Sequence, residues 1–423
     1  MVLAACFSEM GHTVCGVSDD DGVVQKLNDG EPPLFEPGVS ELIRRNVQAR
    51  RLRFTTDYRS ALKGAEFVYI SIDTPVNDDD SSDLTGIFAI ARNIARALSG
   101  PIALVVTAQV PVGTSERIAE TIKAENPSAQ LGLAYVPEFL RLGTAIETFK
   151  NADRFVIGTD EPALLERLSE LYRPLGRPLI LTSLRSAEMG KHACNAFLAS
   201  SISFINEIAN LCEEIGADAQ EVVRIMKADT RIGSRAFLSP GLGFAGGTLG
   251  REIRALQKFG AETNHTTPMM DAIWAVNQSR ADLVRSKIER YCGGLRGLKV
   301  AILGLTYKPG TSTLRRAISL EIIRDLRAHQ VAISAHDPLV RREDIQPPSL
   351  FELAADPYLA AKDADAVVLL TEWENIVEGL DLARLKALMR GRLFVDTRNL
   401  FEPEALRRAG FLYVGIGRAN HEL

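Results

Sequence analysis

Apolar positions fall into two alternating patterns along the first 190 or so residues. Phe67-Val-Tyr-Ile-Ser-Ile72 and Ile102-Ala-Leu-Val-Val106 are continuous apolar runs. Such runs predict strands covered on both faces, as in a parallel sheet. Each precedes a turn and then a stretch with apolar residues at helical spacing, such as Gly113 to Ala124. Repeated strand–helix units predict a doubly wound α/β sheet.

Between about residues 185 and 290 the period changes. Ala187 to Ile215 carries apolar residues at helical spacing, is rich in Ala, Leu and Glu, and contains no Pro. It predicts one long connecting helix, with shorter helices after it. A glycine-rich loop, Gly241-Leu-Gly-Phe-Ala-Gly-Gly247, interrupts them. A second α/β unit opens at Lys299-Val-Ala-Ile-Leu-Gly-Leu305, with a helix near Ser319 to Ala328. Strands are predicted at Val331-Ala-Ile-Ser334, Ala366-Val-Val-Leu-Leu370 and Arg392-Leu-Phe-Val395. The expected fold class is α/β: two Rossmann-like domains joined by a central helical domain with one long connecting helix. The expected boundaries are residues 1–186, 187–292 and 293–423, with ligands bound at strand ends in a cleft.

Composition narrows the partners. The 423 residues are 46% hydrophobic and 24% charged, enough for an ample core in two to three domains. A net charge of -5 with no basic cluster speaks against nucleic acid. No apolar run approaches the ~20 residues of a membrane helix. The opening MVLAACFSEMGH lacks the basic flank of a signal peptide. Five scattered cysteines without a CxxC pair read as reduced thiols of a cytoplasmic protein, and no metal site is expected.

The identifying segments come next. Gly30-Glu-Pro-Pro-Leu-Phe-Glu-Pro-Gly38, Val110-Pro-Val-Gly-Thr114, Pro137-Glu-Phe-Leu-Arg141, Lys191-His-Ala-Cys-Asn195, Ser203-Phe-Ile-Asn-Glu207 and Leu238-Ser-Pro-Gly-Leu-Gly-Phe244 occur in that order. Gly304-Leu-Thr-Tyr-Lys-Pro309, Thr371-Glu-Trp373, Val395-Asp-Thr-Arg-Asn399 and Gly415-Ile-Gly-Arg418 continue the series. Together they resemble the UDP-glucose/GDP-mannose dehydrogenase family over nearly the whole chain. The resemblance implies NAD as cofactor, a UDP-sugar as substrate and a homodimer formed through the long 187–215 helix. The implied reaction is oxidation of the sugar C6 hydroxyl to a carboxylate, which needs a base, an oxyanion stabiliser and a way to hold the aldehyde.

By the same resemblance Lys191 stabilises developing oxygen charge or takes the alcohol proton, and Asn195 lies on its helix face at i+4. Glu138 activates water. Phe139, Leu140, Arg141, Arg231, Phe237, Leu238, Gly241, Gly243 and Phe244 contact the sugar nucleotide. Thr74, Pro75 and Gln109 fall where the fold places cofactor contacts, and Arg315 resembles an arginine that reaches the cleft.

The pattern breaks at the reacting centre. The family's Gly-Gly-Ser-Cys-Phe-Pro-Lys-Asp stands here as Gly246-Gly-Thr-Leu-Gly-Arg-Glu252, so Thr248 takes the nucleophile's position and Glu252 the aspartate's. A hydroxyl is a weaker nucleophile than a thiol, which argues against a covalent thioester. Gln109 replaces a water-positioning threonine. The usual first strand and Gly-x-Gly-x-x-Gly turn are missing, because Met1 to His12 matches the helix that follows them. The expectation is a start misassigned at Met1, with about one strand and turn upstream. The ribose-binding acid is Asp19, one place beyond the family position at Ser18, or else cofactor preference differs. Two further functions stay open: a single-hydride redox enzyme such as an epimerase, and a non-catalytic nucleotide-sugar-binding protein.

Overall fold

Residues 1–33, 36–75, 77, 82–141, 143–314 and 316–418 are described by the computed structural model of the protein. They form two units, Met1–Ala193 and Cys194–Leu423. In the first, α1 (Val2–Glu9) leads to β1 (Val14–Val17), α2 (Asp21–Asn28), α3 (Val39–Gln48) and β2 (Leu52–Thr55). There follow α4 (Tyr58–Leu62), β3 (Phe67–Ile70), α5 (Thr85–Ala97), β4 (Ile102–Val106), α6 (Thr114–Glu125) and β5 (Leu131–Tyr135). The unit closes with α7 (Ala145–Lys150), β6 (Phe155–Gly158), α8 (Pro162–Tyr172), β7 (Leu179–Thr182) and the start of α9 (Leu184–Ile215).

Local chemistry sets several of these ends. Asp20 caps α2 by accepting the Val23 N–H at 3.0 Å. Pro162 opens α8, where its missing N–H costs nothing. The α9 helix begins three residues before the expected Ala187, because the Ser183 hydroxyl accepts the Ser186 N–H at 3.4 Å.

The first unit shows the expected alternation of strands and helices, with its strands in two groups. Strands β1 and β2 make a parallel pair, and β3-β4-β5-β6-β7 make a separate five-stranded sheet, parallel except between β5 and β6. Strand β4 is buried throughout, as expected. Phe67, Val68 and Tyr69 of β3 are only half-buried, since β3 has a strand neighbour on one side only. One core joins the two sheets: Cys6 and Phe7 of α1, Ile43 of α3 and Phe54 of β2 pack with Val105, Ala134 and Ile157.

The second unit holds the rest of α9, then α10 (Ala219–Ala228), α11 (Leu249–Glu262) and α12 (Pro268–Cys292). Its sheet contains β8 (Lys299–Leu303), β9 (Ala332–His336), β10 (Glu352–Leu353), β11 (Ala366–Leu369), β12 (Leu393–Asp396) and β13 (Leu412–Gly415). A helix, α13 (Ile318–Ala328), joins β8 to β9. The strand order is β10-β9-β8-β11-β12-β13, parallel throughout, so the winding reverses between β8 and β11. Val284 and Ile288 of α12 share a core with Val300, Ile302 and Ile322. The middle helices also have a core of their own, in which Ala196 and Ala199 of α9 pack with Phe244, Ile253 of α11 and Ile273 of α12.

Candidate functional site

Loops leave the carboxyl ends of β3, β4 and β5, where open α/β sheets bind ligands. The loop after β5 carries Glu138, Phe139, Leu140 and Arg141. The Glu138 carboxylate folds back to accept the Leu140 N–H. Burial pushes its carboxyl above the ordinary glutamate range, although that hydrogen bond and the Lys191 charge act in the opposite direction. Lys191, near the start of α9, donates to the Glu138 backbone oxygen. Its ammonium lies 4.4 Å from the centre of the Phe139 ring, and the Arg154 guanidinium lies 4.5 Å from it. One aromatic ring, next in sequence to Glu138, thus collects two cations. Arg141 is exposed.

Neighbours on the same face of α9 seat Lys191. Glu188 accepts the N–H of Gly113 at 2.7 Å and of Ser115 at 3.1 Å, and His192 Nε2 is 2.9 Å from the Val110 carbonyl oxygen. Residues 188, 191 and 192 follow an i, i+3, i+4 pattern, so one helix face holds the loops after β4 and β5. The Thr74 hydroxyl, 1% exposed, donates to the Gln109 carbonyl at 2.8 Å and ties the loop after β3 to the loop after β4. Pro75 accepts the Asp83 N–H at 2.7 Å. Asp19 is exposed just beyond β1. Asp19, Thr74, Pro75 and Gln109 all follow strand carboxyl ends, an arrangement that fits a dinucleotide laid across them. Arg315 lies outside the described residues, as do Leu34 and Phe35 of the first identifying segment.

Asn195 sits one turn beyond Lys191. It is 8% exposed, and its Nδ2 has no hydrogen-bond partner among the described residues. A buried donor left unpaired costs about 1–3 kcal/mol, so it marks a place where a ligand can supply the acceptor.

In the second unit, α9 and α12 shape the glycine-rich loop. The Gly241 N–H donates to Asn206 Oδ1 at 2.8 Å, and the Gly241 carbonyl accepts from Arg280 Nε and Nη2 at 3.0 and 2.8 Å. Arg280 is 1% exposed, and burial brings its pKa down to about 10. The Asn277 amide closes on both backbone groups of Phe244, at 2.8 and 3.1 Å. Gly243 has φ +83°, and a Cβ there would lie 2.3 Å from Asn277 Oδ1, so only glycine fits. Thr248 is exposed at the N-cap of α11, and its hydroxyl makes no capping hydrogen bond. Glu252, 1% exposed, lies 4.0 Å from Arg251 Nε.

The remaining expected contacts divide. Leu238 is buried against Ile205 and Val223, whereas Phe237 is 54% exposed. Arg231 is exposed and paired with Asp229, its Nε 3.0 Å from Oδ1. Among the described residues no group of His, Cys, Asp or Glu side chains is placed to hold a metal, and no helix is long and apolar enough to cross a membrane.

Sequence reading passed over Glu36, Arg154, Glu188, Asn277 and Arg280. Glu188 carries a legible signal, being one turn before Lys191 on a predicted helix. Asn277 and Arg280 carry none, since they meet the loop only through tertiary packing.

Comparison with known proteins bears on the whole chain. Residues 1–176 match the UDP-glucose/GDP-mannose dehydrogenase family, NAD binding domain. Residues 185–279 match that family's central domain, and residues 301–403 its UDP binding domain. The chain is 39% identical over 429 residues to a UDP-glucose 6-dehydrogenase of Rhizobium meliloti, covering 99% of this chain and 97% of the relative. With a UDP-glucose 6-dehydrogenase of Pseudomonas aeruginosa it shares 37% identity over 432 residues, 99% and 95% of the two chains. A UDP-glucose dehydrogenase structure from the archaeon Pyrobaculum islandicum superposes with a TM-score of 0.90 at 31% identity, covering 99% and 95%.

Proposed function

The chain belongs to the UDP-glucose/GDP-mannose dehydrogenase family, and from that premise we propose that it is an NAD-dependent dehydrogenase oxidising C6 of a UDP-sugar of the UDP-glucose type. The observation that carries this reading is the grouping at the start of α9. There a cation (Lys191), a carboxyl with a raised pKa (Glu138) and an unpaired buried donor (Asn195 Nδ2) accompany one helix and the loop it holds.

Asp19, Thr74, Pro75 and Gln109 are the residues that would hold NAD, which would supply the hydride acceptor. Lys191 and Asn195 stabilise negative charge on the sugar oxygen as it loses its proton. The sugar-nucleotide contacts of this reading are Phe139, Leu140 and Arg141 in the first unit and, in the second, Arg231, Phe237, Leu238, Gly241, Gly243 and Phe244. Thr248 supplies a hydroxyl, a weak nucleophile, so the second oxidation runs through the aldehyde hydrate and not a covalent ester. Glu138 draws the proton from the water that adds to the aldehyde, and the resulting gem-diol monoanion, its charge stabilised by Lys191, is the species that loses the second hydride to give the carboxylic acid, ionised to carboxylate. Glu252 supports the Thr248 segment from the first turn of α11.

The reading includes a homodimer. Phe197, Phe204, Leu211 and Ile215 are 71%, 49%, 56% and 76% exposed on α9. The first three repeat every seventh residue, which makes a continuous apolar stripe suited to an identical helix.

The test is NADH formation from UDP-glucose and a panel of UDP- and GDP-sugars, with product analysis. Two NADH per sugar is expected. One NADH per sugar, or an epimer without net NADH, would replace the four-electron reading with a single-hydride one.

A further inference from the structure

Two buried carboxylates of the first unit have no part in that chemistry. Glu36, 5% exposed, accepts the N–H of Gly143 and the N–H of Ala145, each at 2.8 Å. Glu188, 0% exposed, accepts the N–H of Gly113 at 2.7 Å and of Ser115 at 3.1 Å. The device is the same twice. Each carboxylate takes two backbone N–H groups at the start of a helix, α7 or α6, where such groups lack intrahelical partners and negative charge is favoured. Each of those helices follows a loop from a strand's carboxyl end: α6 follows residues 107–113, and α7 follows residues 136–144.

Neither carboxylate is local. Glu36 stands 107 residues before Gly143, and Glu188 stands 75 residues after Gly113. A carboxylate taken out of water depends on such donors, so neither loop can move away without stranding a buried charge. The two anchors meet at Glu138. Glu188 sets the register of α9, which carries Lys191 to the Glu138 carbonyl and the Phe139 ring. Glu36 holds the far end of the loop that Glu138 begins. Glu138 is thereby braced from both sides.

We propose that Glu36 and Glu188 are positioning residues that lock the loops after β4 and β5 around Glu138 and Lys191. The kinetic consequence rests on the dehydrogenase reading; the structural one does not. Glu36→Gln and Glu188→Gln each keep one acceptor oxygen and turn an amide NH₂ toward the second backbone N–H. Glu116→Gln is the control: Glu116 also lies in the first turn of α6 and faces α9, but its partner is the surface Arg185 guanidinium, 2.8 Å away.

Hydrogen exchange of the full-length protein should speed at least about tenfold at Gly113 and Ser115 in Glu188→Gln, and at Gly143 and Ala145 in Glu36→Gln. In both, kcat should fall roughly ten- to a hundredfold, more than KM rises, and the acid limb of the kcat–pH profile should move. Glu116→Gln should match the unsubstituted protein throughout. Loosened loops with unchanged kcat and an unchanged acid limb would overturn the proposal, as would loops that stay protected. Were the unsubstituted protein to turn over no nucleotide sugar, the dehydrogenase reading would fall by itself. The anchors would then be judged by exchange together with calorimetric Kd for UDP-glucose, unchanged binding counting against them. If a Gln variant does not fold, Glu36→Asp and Glu188→Asp, which keep the charge but shorten its reach, answer the same question.

Discussion

Glu138 sits where burial and charge oppose each other. Burial raises its pKa, and the Leu140 N–H and Lys191 only partly offset this. A raised carboxyl pKa means that the folded state holds the proton more tightly than the unfolded chain, whose glutamates titrate near ~4.3. The ionised group therefore costs no stability below that range, and costs progressively more as pH rises through the folded pKa. Glu138→Gln should accordingly gain stability relative to the unsubstituted protein between pH 4 and pH 7, measured by urea unfolding at both. In activity the sign is equally definite. The acid limb of kcat should lie above the ordinary glutamate range, and Glu138→Gln should abolish that limb with a loss of about 10²–10⁴ in kcat. A variant that keeps the same limb would remove Glu138 from the role of base. The residue was legible in Pro137-Glu-Phe-Leu-Arg141, but its environment was not, because Lys191, whose charge acts on it, stands 53 residues away in sequence.

The long helix α9 is the element on which most of the site depends. Its apolar spacing and lack of proline predicted a helix from Ala187 to Ile215. Its true start, at Leu184, depends on Ser183 and on a close approach to β6. A Cβ on Gly158 would lie 2.3 Å from the Ala187 Cβ and 2.9 Å from the Ser183 carbonyl oxygen. Strand and helix touch there with no room for a methyl group. Gly158→Ala should destabilise the protein by roughly 1–3 kcal/mol in urea denaturation. Part of that loss should return in the double variant with Ala187→Gly, despite the helix cost of glycine. Strictly additive effects would show that the contact does not set the position of the helix. Nothing in the local pattern marked Gly158, since a glycine within a strand reads equally as a bulge or a close approach.

For the whole molecule, the α9 stripe bears on assembly. Replacing Phe197 and Leu211, 71% and 56% exposed, with Asp should convert a dimer into a monomer in sedimentation experiments while leaving the helix itself intact. A protein that sediments as a monomer before substitution would refute the dimer. At this scale the division between sequence and tertiary structure is clear. Hydrophobic period reports burial residue by residue, so it determined the strands at Ile102–Val106 and Lys299–Leu303 and the long helix, and motif order determined the family. It did not determine that β6 would run antiparallel to β5, because strand pairing is chosen by the topology of the chain. Nor did it reveal that Glu36 would hold Gly143, Glu188 hold Gly113, or Arg280 hold Gly241, bonds that span 107, 75 and 39 residues. A buried charge requires partners, but which backbone groups meet it is decided only when the fold brings distant segments together.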